Sequence, residues 1–337
     1  MPEVLNAAIV GAGLMGGWHA RYASRCCARI CGVVDRNRDS AHRLAAQFSG
    51  AREFAEISAL FEQCRPRVVH VCTPLDTHVE IARAALESGA HVLIEKPLAA
   101  DAASTRDLMS QAQSRGLLIA PVHQFLFQRG FRRAQAAIPR MGRILHFDAT
   151  FCSAGGEHAK ASLDQIAAEI LPHPLSLIER LAPGILQTID WTAHRPLEGE
   201  WRIFGAGGAT SIAILISMHA RPTEATLRVA TEGGMVELDL FHGFAAIDTA
   251  SVSKGSKIAR PFRKSAAEFA VAASNLTQRL AAREFAYPGL RTLIEEFYEA
   301  VLNRRAAPVG ASEILAVAEA RDQVMRSAAP ERMRGAS

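Results

Sequence analysis

The sequence is poor in aromatic residues, in net charge and in long apolar runs. Phe, Trp and Tyr make up 6% of its 337 residues, and the formal net charge is only +4. A mild surplus with no aromatic-laced basic patch does not call for a nucleic-acid partner. The densest basic stretches, Lys254–Lys264 and Arg326–Arg334, read as a solvated face and a frayed end. No apolar run has the length of a membrane span. The first residues lack the ordered basic start, apolar core and small-residue cleavage site of a signal peptide. Metal motifs are missing as well. The twelve histidines are scattered, and no H-x-x-x-H or metal-type C-x-x-C occurs, so no metal is expected. Cys26, Cys27, Cys31, Cys64, Cys72 and Cys152 read as free thiols in a cytoplasmic protein.

What is present is enough apolar material, 49% of residues, for about two packed domains. Up to about residue 122, short apolar runs alternate with helix-period stretches. The runs are Ala7–Val10, Ile30–Val34, Val68–Cys72, Val92–Ile94 and Leu117–Val122. They are near-continuous, as strands covered on both faces are. Helices are expected over Leu14–Ser24, Ser40–Phe48, His78–Ser88 and Ala102–Ser114. Such alternation means a doubly wound parallel sheet. Beyond about residue 140 the period falls to two. Leu145, Phe147, Ala149 and Phe151 alternate with polar neighbours, and Ile212–Met218, Leu227–Val229 and Val236–Leu240 continue the theme around Gly233-Gly234. This predicts a mainly antiparallel, open-faced sheet. Helices are expected at Leu163–Leu181, Leu290–Asn303 and Ser312–Ser327. The expected organisation is a Rossmann domain over 1–123 and an α+β domain over 124–328, with a tail over 329–337. The closing helices are free to pack back on the first domain.

Strand Ala7–Val10 runs straight into Gly11-Ala12-Gly13-Leu14-Met15-Gly16 and a helix. Gly11 allows a tight turn, Gly13 lets a pyrophosphate approach the backbone, and Gly16 lets helix and strand pack closely. The amides at Leu14 and Met15 then face the phosphates at the helix N-terminus. Asp35, nineteen residues past Gly16, ends the second strand, where a carboxylate accepts from the adenine ribose hydroxyls. It favours NAD. Arg36 and Arg38 could neutralise a 2′-phosphate, which keeps NADP as the alternative.

Further motifs accumulate: Cys72-Thr73-Pro74 closing the fourth strand, His78 opening the next helix, and Glu95-Lys96-Pro97 after the fifth strand. Their order resembles that of the Gfo/Idh/MocA oxidoreductases, in detail over residues 6–100 and as architecture to about residue 328. The resemblance implies an N-terminal dinucleotide domain and a second domain with an open sheet. Many members pair through that sheet as dimers or tetramers. It also implies cofactor contacts from Cys72, Thr73, Pro74, His78, Glu95, Lys96 and Pro97, with Lys96 aimed at the reacting oxygen. The family pattern D-x-G-x-H-x-x-D falls on Glu169–Ser176. His173 stands on the histidine, Glu169 on the first aspartate, Leu171 on the glycine and Ser176 on the second aspartate. Pro172 and Pro174 flank His173, so a regular helix there must begin close by.

From the residue chemistry, removing a carbinol proton suits a histidine, and an ammonium beside it stabilises the alkoxide. Lys96, His173 and Glu169 thus form a set of polariser, acid/base and orienter. His123, Gln124 and Ser176 are candidates for the substrate pocket by position. Glu157 and His158 are weaker candidates for its rim. His19 reads as a satisfied structural histidine and Tyr298 as core. The expected activity is hydride transfer between nicotinamide and a CH–OH or C=O group of a sugar or polyol-like metabolite. Two alternatives stay open: an imine or enone reductase, and a non-catalytic NAD-binding regulator.

Overall fold

The computed structural model describes residues 4–26, 28–153, 162–249 and 254–328. Cys27, Glu157, His158 and the tail over 329–337 therefore lie outside the described residues. The chain divides into two compact units: Met1–His123 with Leu290–Ala318, and Gln124–Gly289 with Glu319–Ser337.

The first unit begins β1 (Leu5–Val10), α1 (Leu14–Arg25), β2 (Ala28–Val34), α2 (Arg38–Ala45), β3 (Arg52–Phe54) and α3 (Ile57–Cys64). It continues with β4 (Val68–Val71), α4 (His78–Glu87), β5 (His91–Ile94), α5 (Ala102–Ser114) and β6 (Ile119–Pro121). The six strands are parallel and ordered β3-β2-β1-β4-β5-β6. Chain order reverses between β1 and β4, which puts the ends of both beside the first loop. Ala7, Ala8, Ile9, Val69, Val71, Val92, Leu93 and Ile94 are fully buried, which accounts for the uninterrupted apolar runs. Each large one contributes about 1.5–3 kcal/mol by leaving water. Caps set two helix starts: Asn37 Oδ1 accepts from Ser40 N at 3.1 Å, and Asp101 Oδ1 from Ser104 N at 2.7 Å.

The second unit holds α6 (Arg129–Ala137), β7 (Ile144–Cys152), α7 (Leu163–Ile170) and α8 (Pro172–Leu181). Then come β8 (Asp190–His194), β9 (Glu200–Gly207), β10 (Thr210–Ser217), β11 (Glu224–Thr231), β12 (Gly234–Asp239), β13 (Phe244–Thr249) and α9 (Lys254–Ala281). The sheet order is β13-β12-β11-β7-β10-β9-β8. All pairs are antiparallel except β7–β10, which is parallel. One face is buried through Phe147, Phe151, Trp201, Ile203, Ile212, Ile214, Leu227 and Val236, with α6 and α7 against it. Phe204 points the other way and is exposed.

The chain ends with α10 (Leu290–Leu302) and α11 (Ala311–Ser327). Residues 290–318, whose helices the sequence left free to pack back on the first domain, belong to the first unit. The apolar face of α10, Leu290, Leu293, Ile294, Phe297 and Val301, is buried there and packs against α1. The division falls within α11, after Ala318.

Candidate active site

The glycine loop follows the end of β1. Gly11 has φ +98°, and a Cβ there would meet the Cys72 carbonyl oxygen at 2.6 Å. At Gly16 a Cβ would meet the Gly11 carbonyl oxygen at 1.9 Å, so α1 rests directly on the loop. Gly13 differs, since a Cβ there would meet nothing within 4 Å. It is the N-cap of α1, with no side-chain cap hydrogen bond and no acidic residue in the first turn. The first amides of α1, at Leu14, Met15 and Gly16, therefore keep unspent N–H groups and the positive end of the helix dipole. Space at Gly13 and bare amides beyond it fit a pyrophosphate. Beside the loop lies an open hollow of about 410 Å³, with Ala12, Gly13, Leu14, Ser40 and Arg43 in its wall.

Asp35 follows the last residue of β2 and is half-buried. Its Oδ2 accepts from Ala12 N at 2.7 Å, and its Oδ1 accepts from Asn37 N at 2.8 Å. The carboxylate thus ties the glycine loop to the β2–α2 turn. Each oxygen keeps a second lone pair for a ribose hydroxyl. Arg36 and Arg38 are exposed next to it.

Cys72, Thr73 and Pro74 leave β4 beside Gly11. Burial, with the Glu95 carboxylate next, pushes the Cys72 thiol well above its ordinary pKa, so it stays protonated. His78 is buried, and its ring spans Thr73 O and Pro97 O, each at 2.9 Å. Both ring nitrogens are thereby engaged with backbone. His78 thus ties the loop after β4 to the loop after β5. The Lys96–Pro97 peptide is cis.

Glu95 and Lys96 are half-buried at the C-terminal end of β5. Glu95 Oε2 accepts from Lys96 N at 3.3 Å, and Oε1 lies 3.2 Å from His19 Nε2. Burial alone would raise the Glu95 pKa. The His19 hydrogen bond and the His19 and Lys96 charges outweigh it and hold the carboxyl below its ordinary range. His19 does not stop there. Its Nδ1 lies 2.9 Å from His70 Nδ1, and His70 Nε2 lies 2.7 Å from the Tyr298 hydroxyl. Burial, then the charge of His19, drive the His70 pKa well below 6.5. Burial first, then Cys26 and Cys31, drive the Tyr298 pKa well above 10. Tyr298, His70, His19 and Glu95 thus form one continuous buried chain of hydrogen bonds. This chain was not assembled from sequence, where His19 stood as a satisfied structural histidine and Tyr298 as core. The available signal was His70 itself, a polar side chain inside the otherwise apolar strand Val68–Val71.

In the second unit, α7 and α8 carry the second set. Ser162 caps α7 by accepting from Gln165 N at 3.2 Å. Asp164 anchors the helix by accepting from Gly199 N, Trp201 Nε1 and Arg195 Nη1 at 2.9, 3.1 and 3.1 Å. Pro172 opens α8, where the first amides have no intrahelical partner in any case. The chain nevertheless stays helical through the junction. Leu171 N reaches Ala167 O at 3.3 Å, and Leu175 N reaches Leu171 O at 3.4 Å. Glu169, half-buried, thus lies about one turn before His173.

His173 is buried against two rings. Phe125 is 4.6 Å away centroid to centroid, and Phe151 is 6.3 Å away and nearly parallel at 6°. Ser176 is buried and donates its hydroxyl to His173 O at 2.9 Å. That proton is spent inside the helix. Gln124 is buried at the start of the second unit, and His123 is buried at the end of the first segment of the other.

Residues 5–123 match the family model described as oxidoreductase family, NAD-binding Rossmann fold, of the Gfo/Idh/MocA type. The UDP-N-acetylglucosamine 3-dehydrogenase of Acidithiobacillus ferrooxidans is 33% identical over 136 residues, 38% of this chain and 42% of that protein. The dTDP-3,4-didehydro-2,6-dideoxy-alpha-D-glucose 3-reductase of Streptomyces violaceoruber is 31% identical over 216 residues, 60% of this chain and 63% of that one. The chain thus spans less than two thirds of either relative. The WlbA dehydrogenase of Bordetella pertussis, solved with NADH and UDP-GlcNAcA, shares the fold with a TM-score of 0.80 at 16% identity, covering 97% of this chain and 96% of that one. With a glycine loop, a strand-end carboxylate and an E-K-P turn in one dinucleotide-binding unit, and a family match across that unit, residues 5–123 form an NAD-binding Rossmann domain of the Gfo/Idh/MocA oxidoreductase type.

Proposed function

We propose that the protein is a nicotinamide-dependent oxidoreductase acting on a CH–OH or C=O group of a sugar derivative. The observation that carries this is the α1 N-terminus, with open space at Gly13, bare amides beyond it and Asp35 fixed alongside. The dinucleotide, when bound, exchanges a hydride with the substrate carbon. Gly11, Gly13, Leu14, Met15 and Gly16 hold the pyrophosphate, and Asp35 holds the adenine ribose. Asp35 favours NAD over NADP, whose 2′-phosphate it would repel.

The protein's own part is proton and charge management. Oxidation of an alcohol breaks its O–H and C–H bonds. The Lys96 ammonium stabilises the oxygen as negative charge develops, and the His173 imidazole takes the proton. Reduction runs the same steps backwards. Glu169, one turn earlier, orients the imidazole. His78, Thr73, Pro74 and Pro97 shape the loops around the nicotinamide half. His123, Gln124 and Ser176 belong to the substrate side. Named relatives act at position 3 of nucleotide-linked sugars, which supports the same class here. The free thiols Cys26, Cys31, Cys64, Cys72 and Cys152 favour a cytoplasmic setting. The exposed outer face of the second sheet, with Phe204, favours self-association there.

The test is fluorescence titration with NADH and NADPH, followed by a turnover screen of nucleotide sugars, free sugars and their keto forms. NADH binding with turnover that Lys96→Ala abolishes, affinity retained, is the expected result. Absence of binding by either dinucleotide overturns the proposal. Binding without turnover across the panel favours a regulator on the same scaffold.

A further inference from the structure

Helix α9 is 28 residues long and sits with its apolar side outward. Towards the sheet it turns charged and small residues. Arg260 Nη2 meets Asp248 Oδ2 at 2.7 Å, and Lys264 Nζ meets Glu237 Oε2 at 2.8 Å. Further along, Asn275 and Arg279 donate to His242 O at 2.9 and 3.0 Å. On the opposite side lie Ile258, Phe262, Phe269, Leu276 and Leu280, which are 79, 80, 75, 58 and 56% exposed. At 100° per residue all five fall within roughly 40° of one another, a single stripe roughly 33 Å long. A helix gains most of its stability by burying such a face, and nothing among the described residues covers this one.

The stripe is symmetric about its centre. Ile258 and Leu280 lie eleven residues either side of Phe269, and Phe262 and Leu276 lie seven either side. Ala266 and Ala272, three residues either side, are small where two backbones would come closest. Read backwards, the stripe repeats itself in size and polarity. An isologous two-fold contact needs that self-complementarity and an unrelated partner does not. The seven-residue spacing of Phe262, Phe269 and Leu276 suits an antiparallel helix pair.

We propose that α9 is a dimerisation helix that pairs antiparallel with α9 of a second copy across a two-fold axis at Phe269. Ile258 then faces Leu280, Phe262 faces Leu276, and Phe269 faces its own equivalent. Five large side chains at these exposures offer roughly 500–700 Å² per copy, so the pair buries on the order of 1,200 Å², within reach of a stable interface. A membrane surface is a poorer occupant, because Arg260 and Lys264 already face carboxylates of their own chain. Combined with pairing through the sheet, this contact gives a tetramer of two-fold symmetry, and by itself a dimer.

The experiment is sedimentation of the full chain, wild type against Phe269→Glu. Phe269 is exposed within one protomer, so the substitution leaves the circular dichroism spectrum unchanged. The expected result is an oligomer whose mass halves in the variant. The second reading is oxidation of Phe269→Cys. Residue 269 meets itself across the axis, so this variant forms a disulfide-linked dimer, whereas Ser274→Cys on the opposite side does not. A monomeric wild type, an oligomer whose mass Phe269→Glu leaves intact, or equal crosslinking at both positions overturns the proposal. So does a wild type that stays monomeric in solution and floats with phosphatidylserine vesicles.

Discussion

Replacing Tyr298 by Phe removes one oxygen from the buried chain and nothing else. The ring keeps its shape, so no cavity opens. His70 Nε2, fully buried, loses the hydroxyl 2.7 Å away and has no water to replace it. An orphaned buried hydrogen-bonding atom costs about 1–3 kcal/mol. At about 2–4 °C per kcal/mol for a domain of this size, Tm should fall by roughly 2–12 °C. The sharper test is the same substitution in a His70→Leu background. There the Tyr298 hydroxyl is itself stranded, so Tyr298→Phe should become neutral or stabilising. Urea unfolding of the four proteins in the cycle reads this sign change directly. An equal cost of Tyr298→Phe in both backgrounds, or no cost in wild type, would refute the continuous chain from Tyr298 to Glu95.

Two further perturbations bear on the first unit. His91 Nδ1 accepts from Leu118 N at 2.9 Å, and burial, then the Arg67 charge, push its pKa down to about 4. A group depressed on folding contributes stability above its unfolded pKa, about 6.5, and loses it as pH falls through about 4. The loss comes to about 1–3 kcal/mol after allowance for solvent screening. A His91→Asn variant should therefore show a flatter urea midpoint than wild type between those pH values, and parallel curves would dismiss the effect. Gly16→Ala sets a Cβ 1.9 Å from Gly11 O, forcing α1 off the loop. Expected are a loss of about 1–3 kcal/mol in stability and of NADH binding, while Gly17→Ala, with nothing within 4 Å of its Cβ, should retain both.

The Rossmann unit was legible because its strands are buried on both faces and its loop chemistry is local. Gly11 to Gly16 and Asp35 can be recognised from order and spacing alone. The short strand Arg52–Phe54 and strand Asp190–His194 were not placed, having too few buried residues to show a period. Helix α9 was legible only as the basic run Lys254–Lys264. It carries Pro261 inside, and its apolar residues face away from the chain's own core, so the usual inward stripe does not mark it. The Glu95 chain was illegible for another reason. His19 and His70 are 51 positions apart and His70 and Tyr298 are 228, so no local pattern joins them. His173 was singled out through an altered motif. Its two aromatic walls, Phe125 and Phe151, come from distant segments that only folding brings together.

Asp35 has a consequence for anyone retuning cofactor preference. The usual exchange, a small polar residue for the strand-end acid, is aimed at the ribose alone. In this protein the same two oxygens hold Ala12 and Asn37, so the exchange also unties the glycine loop from the β2–α2 turn. On the proposed reading of Asp35, discrimination and loop order share one side chain. A productive swap to NADP would have to supply a new tether for Ala12 together with a cation for the extra phosphate, and Arg36 already stands next in line for the second task.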